Sequence, residues 1–403
     1  MKGKRGRGLA LAMLLMLAGA CRNGPSHRDE HSERTARAVT ASGDIVIAAV
    51  WPWEARRDIR YREGLELAVQ EINAVGGIRG RSLRLLLRDD KESVDEGRLI
   101  AQSLGADTEV VAVIGHLQSY VTVPVAAIYD LSGLLMVAPA ATDPQLTAQG
   151  YRRVFRATFS DQMVGRSMAE FAAARGYRRM AICYGRDVYG RDLANAFEER
   201  AVGAGIRIVG RQSYEIGPAT RETFAETLRD WKALDIDAIF LAGEVPSGAV
   251  FIAEARRAGL TMPVLTGDAM NSPELIRVAG PAAEGTIVAS IFHPDEPRAN
   301  VREFTESFRR QFGVAPDAAS ALGYDAVKLL AEAMRRAGTV APDDVARALH
   351  AARDWKGVTG PFSFDAAGEP LVRPVVKLVV RNGKLEYLGK QQLAALAKPL
   401  AMR

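Results

Sequence analysis

The chain is poor in the residues on which several protein classes depend. Its 403 residues contain two cysteines and five histidines, and aromatic residues make up 7%. Two cysteines cannot build a disulfide framework. No His/Cys cluster has metal-ligand spacing. His27 and His31 stand four apart, but the polar stretch around them suggests neither a helix nor a third ligand, so they read as part of a solvated linker. A phosphate-binding loop is absent. "GGIRGR", residues 76–81, ends a helical pattern instead of opening one, so it is no dinucleotide fingerprint. The G-x-S-x-G elbow of serine hydrolases is missing. No basic stripe with interleaved aromatics appears, which excludes nucleic acid as the expected partner.

Long apolar runs are also scarce. "LALAMLLMLAGA", residues 9–20, follows the basic segment "MKGKRGR" and is too short to span a membrane as a mature helix. The pair reads as a secretory signal over residues 1–20. "LAGAC", Leu17 to Cys21, resembles a bacterial lipobox, which implies cleavage before Cys21 and lipid on its sulfur. Ala18 departs from that pattern, since a larger aliphatic residue is commoner there. Lys2, Lys4, Arg5 and Arg7 leave with the signal, so the formal net charge of +5 falls to about +1. From Val376 onward there are six basic residues and one acid, Glu386, which leaves the body mildly acidic. Residues 22–42 are polar without apolar period and read as a flexible tether. Cys183, in the apolar "MAICYG", reads as a small buried core residue.

What is present from Asp44 onward is an alternation of strands and helices. "DIVIAAV" reads as a buried strand. Leu65, Ala68, Val69 and Ile72 fall on one helix face, and Gly76 and Gly77 end that helix. "SLRLLLRDD", "EVVAVIG" and "LLMVAP" supply further strands. "SVDEGRLIAQSL" opens with Ser93 and Glu96 at capping-box spacing. The pattern restarts at "RRMAICYG" and runs through "IRIVGRQ", "IDAIFLAG", "MPVLTGD" and "GTIVASIF". The expected fold is α/β, with two doubly wound parallel-sheet lobes joined by a hinge.

In open α/β sheets, ligands sit at the carboxyl ends of strands. That rule singles out residues 50–53, 115–120, 139–143, 184–189, 243–246 and 267–271. Ser119 stands where a strand gives way to a helix, where free N–H groups and the helix dipole favour an anion such as a carboxylate. Helix capping is the plainer role for it. His116 lies three residues away, but a nucleophilic serine needs an oriented base and an oxyanion hole, and nothing in the sequence supplies them. In "APAATDP", Ala140 is small enough for a ligand to approach the backbone, and Thr142 offers a hydroxyl. Asp89 and Asp90 read as solvated loop carboxylates.

Taken together, "EGLELAVQEINAVGGIRGRSLRLLLRDD", "VVAVIGHLQSYVTVPVAAIYDLSGLLMVAPAATDPQLTAQGYRRVFRAT", "YGRDLANAFE", "ALGYDAVKLLAEAM" and "VTGPFSFDAAGE" resemble the type I periplasmic binding proteins. The nearest group is the Leu/Ile/Val receptors of ABC importers, and the likeness covers residues 44–387. It implies that Ser119, Ala140, Ala141 and Thr142 hold an amino acid's α-carboxylate and part of its ammonium. It implies that Tyr189 closes from the second lobe and that Asp268 pairs with the ammonium. Glu244 falls where the family often has an aromatic, and "VWPWEARRD" replaces an early turn, with Trp51 or Trp53 (Trp53 preferred) as pocket wall. Arg56, Arg57 and Arg60 cluster there. An inward arginine favours an acidic ligand, whereas Glu244 favours a second amine or hydroxyl; the sequence leaves both open. The implied layout is a signal over 1–20, a lipidated flexible tether over 21–43, lobe 1 over 44–160 plus 293–372, lobe 2 over 161–292 plus 373–390, and a C-terminal tail over 391–403. The implied partners are an amino-acid-like solute, an inner-membrane ABC permease and, through the lipid, a membrane. No cofactor, metal or catalytic residue is expected. A sensory receptor of the same fold is the runner-up, and a serine-dependent hydrolase the distant alternative.

Overall fold

The computed structural model describes residues 27–57, 59–217 and 220–389. The signal, Cys21 and the tail expected over 391–403 lie outside the described residues.

Two sheets organise the chain. In the first, β1 (Ile45–Trp51), β2 (Leu83–Asp89), β3 (Val110–Ile114), β4 (Leu135–Ala138) and β5 (Val154–Arg156) lie in the order β2-β1-β3-β4-β5. All of its pairings are parallel. β1, β3 and β4 are buried along their full length, as both faces of a parallel sheet covered by helices require. In the second sheet, β6 (Arg179–Gly185), β7 (Arg207–Tyr214), β8 (Ala238–Ala242), β9 (Val264–Thr266) and β10 (Ile287–Ser290) are again parallel. A hairpin then intervenes, β11 (Trp355–Gly357) with β12 (Gly360–Phe362). Finally β13 (Val376–Arg381) and β14 (Lys384–Tyr387) extend the second sheet antiparallel beyond β10. The chain therefore passes between the sheets three times: after β5, after β10 and before β13.

Helix packing follows the sequence pattern. Helix Tyr61–Ala74 buries Leu65, Ala68 and Ile72 and lies against helix Ala318–Ala337. The two approach closely at Gly64, where a Cβ would sit 2.0 Å from the Ser320 carbonyl oxygen. Ser93 Oγ accepts from the Glu96 N–H, while the Glu96 carboxylate turns to Lys91, so half of the expected capping box forms.

Two expectations change. Helix Ala299–Phe312, expected in lobe 1, buries Val301, Phe304 and Phe308 in the core that holds Phe292, Ile182 and Val379 of the second sheet. The same core takes in Leu67 and Ala321, so this helix straddles the junction.

The other change falls on the stretch expected as a flexible tether. His27–Thr40 is a helix docked on the first sheet. Its anchor is Arg34, fully buried. The guanidinium donates to the carbonyls of Val110 (2.9 Å), Gly105 (2.6 Å), Asp107 (3.2 Å) and Ser132. Gly105 and Ser132 close the ends of helices Val94–Ala106 and Ser119–Leu131, where unpaired carbonyls and the helix dipole favour a cation. The anchoring is polar, and Ala38 is the helix's one core apolar residue, so no apolar period marks it. His31 Nε2 lies 3.2 Å from Asp343 Oδ2.

Candidate functional site

The carboxyl ends of β1, β3 and β4 face those of β8, β9 and β10 across a cavity of about 980 Å³, the open space at its mouth included. From the first sheet's side it is lined by Trp51, Arg56, Ile59, Leu117, Gln118 and Ala140, and from the second by Glu244, Asp268, Asn271, Ser290 and Ile291.

The turn after β4 is held from below. Arg156, fully buried at the end of β5, donates to the Ala141 carbonyl, to the Asp143 carbonyl at 2.7 Å and to Glu369 at 2.7 Å. Ser119 opens helix Ser119–Leu131 at its first position, with Gln118 as the N-cap. Its hydroxyl does not cap that helix. It accepts from the N–H groups of Thr142 and Asp143 at 3.2 and 3.3 Å. Ser119, Ala141 and Thr142 thus form the turn that presents Ala140 to the cavity. Among the described residues the Ala140 main chain makes no hydrogen bond.

His116 has a structural role in this geometry. It is fully buried, with Nδ1 2.6 Å from Asp90 Oδ2 and Nε2 3.1 Å from the Tyr129 hydroxyl. Both ring nitrogens are engaged, and no hydrogen bond joins His116 to Ser119 among the described residues. Asp90, read from sequence as solvated, is buried as this histidine's partner. Gly115 lets the strand end pass over β1: its φ is +147°, and a Cβ would meet the Val50 carbonyl oxygen at 2.2 Å.

Across the cavity, Asp268 follows β9. Burial raises its carboxyl from the usual range to about 6, against the opposing pull of its own backbone N–H and of Tyr189. The Tyr189 hydroxyl donates to Asp268 Oδ1 at 3.2 Å and accepts from the Ala269 N–H at 3.2 Å. Tyr189 therefore braces Asp268 from behind and does not itself line the cavity. A Cβ on Gly267 would stand 2.4 Å from that hydroxyl, so the brace requires glycine there.

Asp161, which the sequence reading passed over, is fully buried at the first position of helix Asp161–Ala174. Among the described residues neither of its oxygens makes a hydrogen bond of good geometry, the Thr142 hydroxyl being the nearest candidate. Burial pushes its carboxyl well up and the Asp268 charge adds to the push, while the Thr142 hydroxyl and Arg156 oppose it. The visible clue was an acid at a helix start inside the apolar "VFRATFSDQM".

The expected wall is Trp51, not Trp53. Trp51 lines the cavity and stacks on Tyr61 at 3.8 Å. Trp53 sits behind Tyr61 and donates its indole N–H to the Arg88 carbonyl. The arginine cluster divides: Arg56 lines the cavity, whereas Arg57 and Arg60 pair with Glu54 and Glu63. Of the residues expected at the site, Ala140, Glu244 and Asp268 line the cavity.

Two mainly parallel sheets flanked by helices, three passages between them and a cavity at their facing strand ends define a two-lobed α/β protein of the solute-binding class. The chain belongs to the periplasmic binding protein family, whose profile matches residues 58–384. It is 31% identical over 314 residues to a Leu/Ile/Val-binding protein homolog of Brucella suis, covering 77% of this chain and 82% of that one. It is 27% identical over 310 residues to the leucine-, isoleucine-, valine-, threonine- and alanine-binding protein of Pseudomonas aeruginosa, covering 76% and 81%. An ABC transporter substrate-binding protein of Desulfitobacterium hafniense, solved with Leu, is 39% identical with a TM-score of 0.79, covering 86% of this chain and all of that one. This chain is accordingly a substrate-binding protein of the branched-chain amino-acid ABC-transporter type.

Proposed function

We propose that this protein is the exported, lipid-anchored solute receptor of an ABC importer and holds an amino acid between its two lobes. The observation that carries this reading is the pairing of Asp268 with the Ala140 turn on opposite walls of one cavity. Asp268 supplies charge for an ammonium, and the unengaged Ala140 carbonyl supplies an acceptor beside it. The N–H groups around the Ser119 and Ala141 turns receive the carboxylate. A ligand touched by both walls favours the closed arrangement over the open one, and the permease reads closure. "LAGAC" supports lipid on Cys21. No helix among the described residues is long and apolar enough to cross a membrane. The engagement of both His116 nitrogens away from Ser119 argues against the hydrolase reading.

Calorimetry with α-amino acids tests the clamp. Losing a hydrogen bond to a charged group costs roughly 1.5–3 kcal/mol, about ten- to a hundredfold in affinity. Asp268→Ala should weaken binding by that much, and Ser119→Ala, which removes the hydroxyl that holds the Thr142 and Asp143 N–H groups, should weaken it by loosening the Ala140 turn. Unchanged affinity in both refutes the clamp. The anchor is tested separately, by lipid mass on Cys21 and its loss in Cys21→Ser.

A further inference from the structure

We propose that the end of the cavity formed by Glu244 selects a side chain with an apolar stem and a terminal cation or hydrogen-bond donor over a plain alkyl group. This rests on the reading that the cavity holds an amino acid by its α-groups.

Glu244 follows β8 and lines the cavity. Its carboxylate makes no hydrogen bond or ion pair among the described residues. The charged groups around it differ from those around Asp268. The charges acting on Glu244 are Asp187, Arg56 and Glu92. The Asp268 carboxyl is instead engaged by Tyr189 and acts on Asp161.

Arg56 is the one cation lining the cavity among the described residues, and it is committed. Its Nε donates to Glu92 Oε1 at 2.6 Å, an oxygen that also accepts from Gln118 Nε2 at 3.1 Å. The groups facing Glu244 are thus Arg56, Glu92 and Tyr120 from the first lobe and Asp187 and Tyr214 from the second. Among the described residues, the charges there are the three carboxylates of Glu244, Glu92 and Asp187 and one guanidinium. An anionic side chain meets a net negative field there, and an alkyl group strands the Glu244 carboxyl without a partner, which costs desolvation. A cation or hydroxyl satisfies it. Ile59, Leu117 and Trp51 supply apolar wall for the stem. Burial, with Asp187 adding to it, lifts the Glu244 carboxyl to about 7 against the pull of Arg56, so it gains charge on going from pH 6 to pH 8.

Lysine and norleucine share a four-carbon stem and differ in the terminal ammonium, and glutamate carries the opposite charge. Calorimetry of the purified protein with these three at pH 6, 7 and 8 is the test. A charge-assisted contact predicts lysine binding about ten- to a hundredfold tighter than norleucine at pH 8, with glutamate weakest. The lysine preference should shrink toward pH 6. Glu244→Leu should abolish it and let norleucine gain. If norleucine binds wild type as tightly as lysine, loses affinity in Asp268→Asn and ignores Glu244→Leu, the selectivity proposal is overturned while the clamp survives. If none of the three binds at any pH, clamp and selectivity fall together.

Discussion

Asp268→Asn should make the ligand-free protein more stable while disabling it. In the folded chain burial lifts this carboxyl to about 6. Unfolded, it ionises near 4. Between those values the folded state holds the proton that the unfolded state has lost, so stability falls as pH rises through that window and stays low above it. A shift of about 2 units corresponds to about 3 kcal/mol, and partial solvent access to the cavity reduces that to roughly 1–3 kcal/mol. Asparagine is nearly isosteric, and its Oδ1 still accepts from Tyr189, but it does not ionise. Thermal unfolding of wild type and variant without ligand, from pH 4 to pH 8, measures the difference. The two should coincide near pH 4. The variant should then gain, reaching about 2–12 °C above pH 7, taking about 2–4 °C per kcal/mol. A pH-independent difference, or a variant less stable at pH 8, would refute the claim that Asp268 carries an uncompensated buried charge in the empty cavity.

The same carboxyl sets the pH dependence of binding. An ammonium needs it ionised, so dissociation constants for α-amino acids should worsen about tenfold per unit below pH 6 and level off above pH 7. Arg156→Met strands the Ala141 and Asp143 carbonyls and Glu369, so chemical denaturation should show a loss of about 3–5 kcal/mol. His116→Ala removes the partner of Asp90 Oδ2 and leaves that buried carboxyl, among the described residues, only the Glu92 N–H at Oδ1, so denaturation should show a loss of about 1–3 kcal/mol although the histidine does not line the cavity.

The fold was legible because the central strands of each sheet, β1, β3 and β4 in the first and β8, β9 and β10 in the second, are buried and parallel and read as apolar runs, with helices of clear period between them. Strand ends pointed to the candidate cavity, and the resemblance singled out Ala140 and Asp268, both of which line it. Polar anchoring escaped notice. Arg34 holds its helix through carbonyls, and Arg156 holds the β4 turn in the same way; an arginine in a polar or mixed stretch carries no periodic signal. Asp90 and His116 are far apart in sequence, so their pairing was invisible, and Asp90 read as a loop acid. Trp51 and Trp53 are two residues apart on one strand end, where one small difference in the turn decides which ring meets the cavity. Arg56 and Glu244 seemed to argue for opposite ligands until Glu92 was seen to engage the arginine.

The central claim is that an α-amino acid is clamped between Asp268 and the Ala140 turn. A crystal structure of the protein with a bound α-amino acid tests it most directly. The account predicts the ammonium within hydrogen-bond distance of both the Asp268 carboxylate and the Ala140 carbonyl, with the carboxylate against the Ser119 and Ala141 N–H groups. A ligand bound to one lobe alone, or one whose ammonium points away from Asp268, would contradict it.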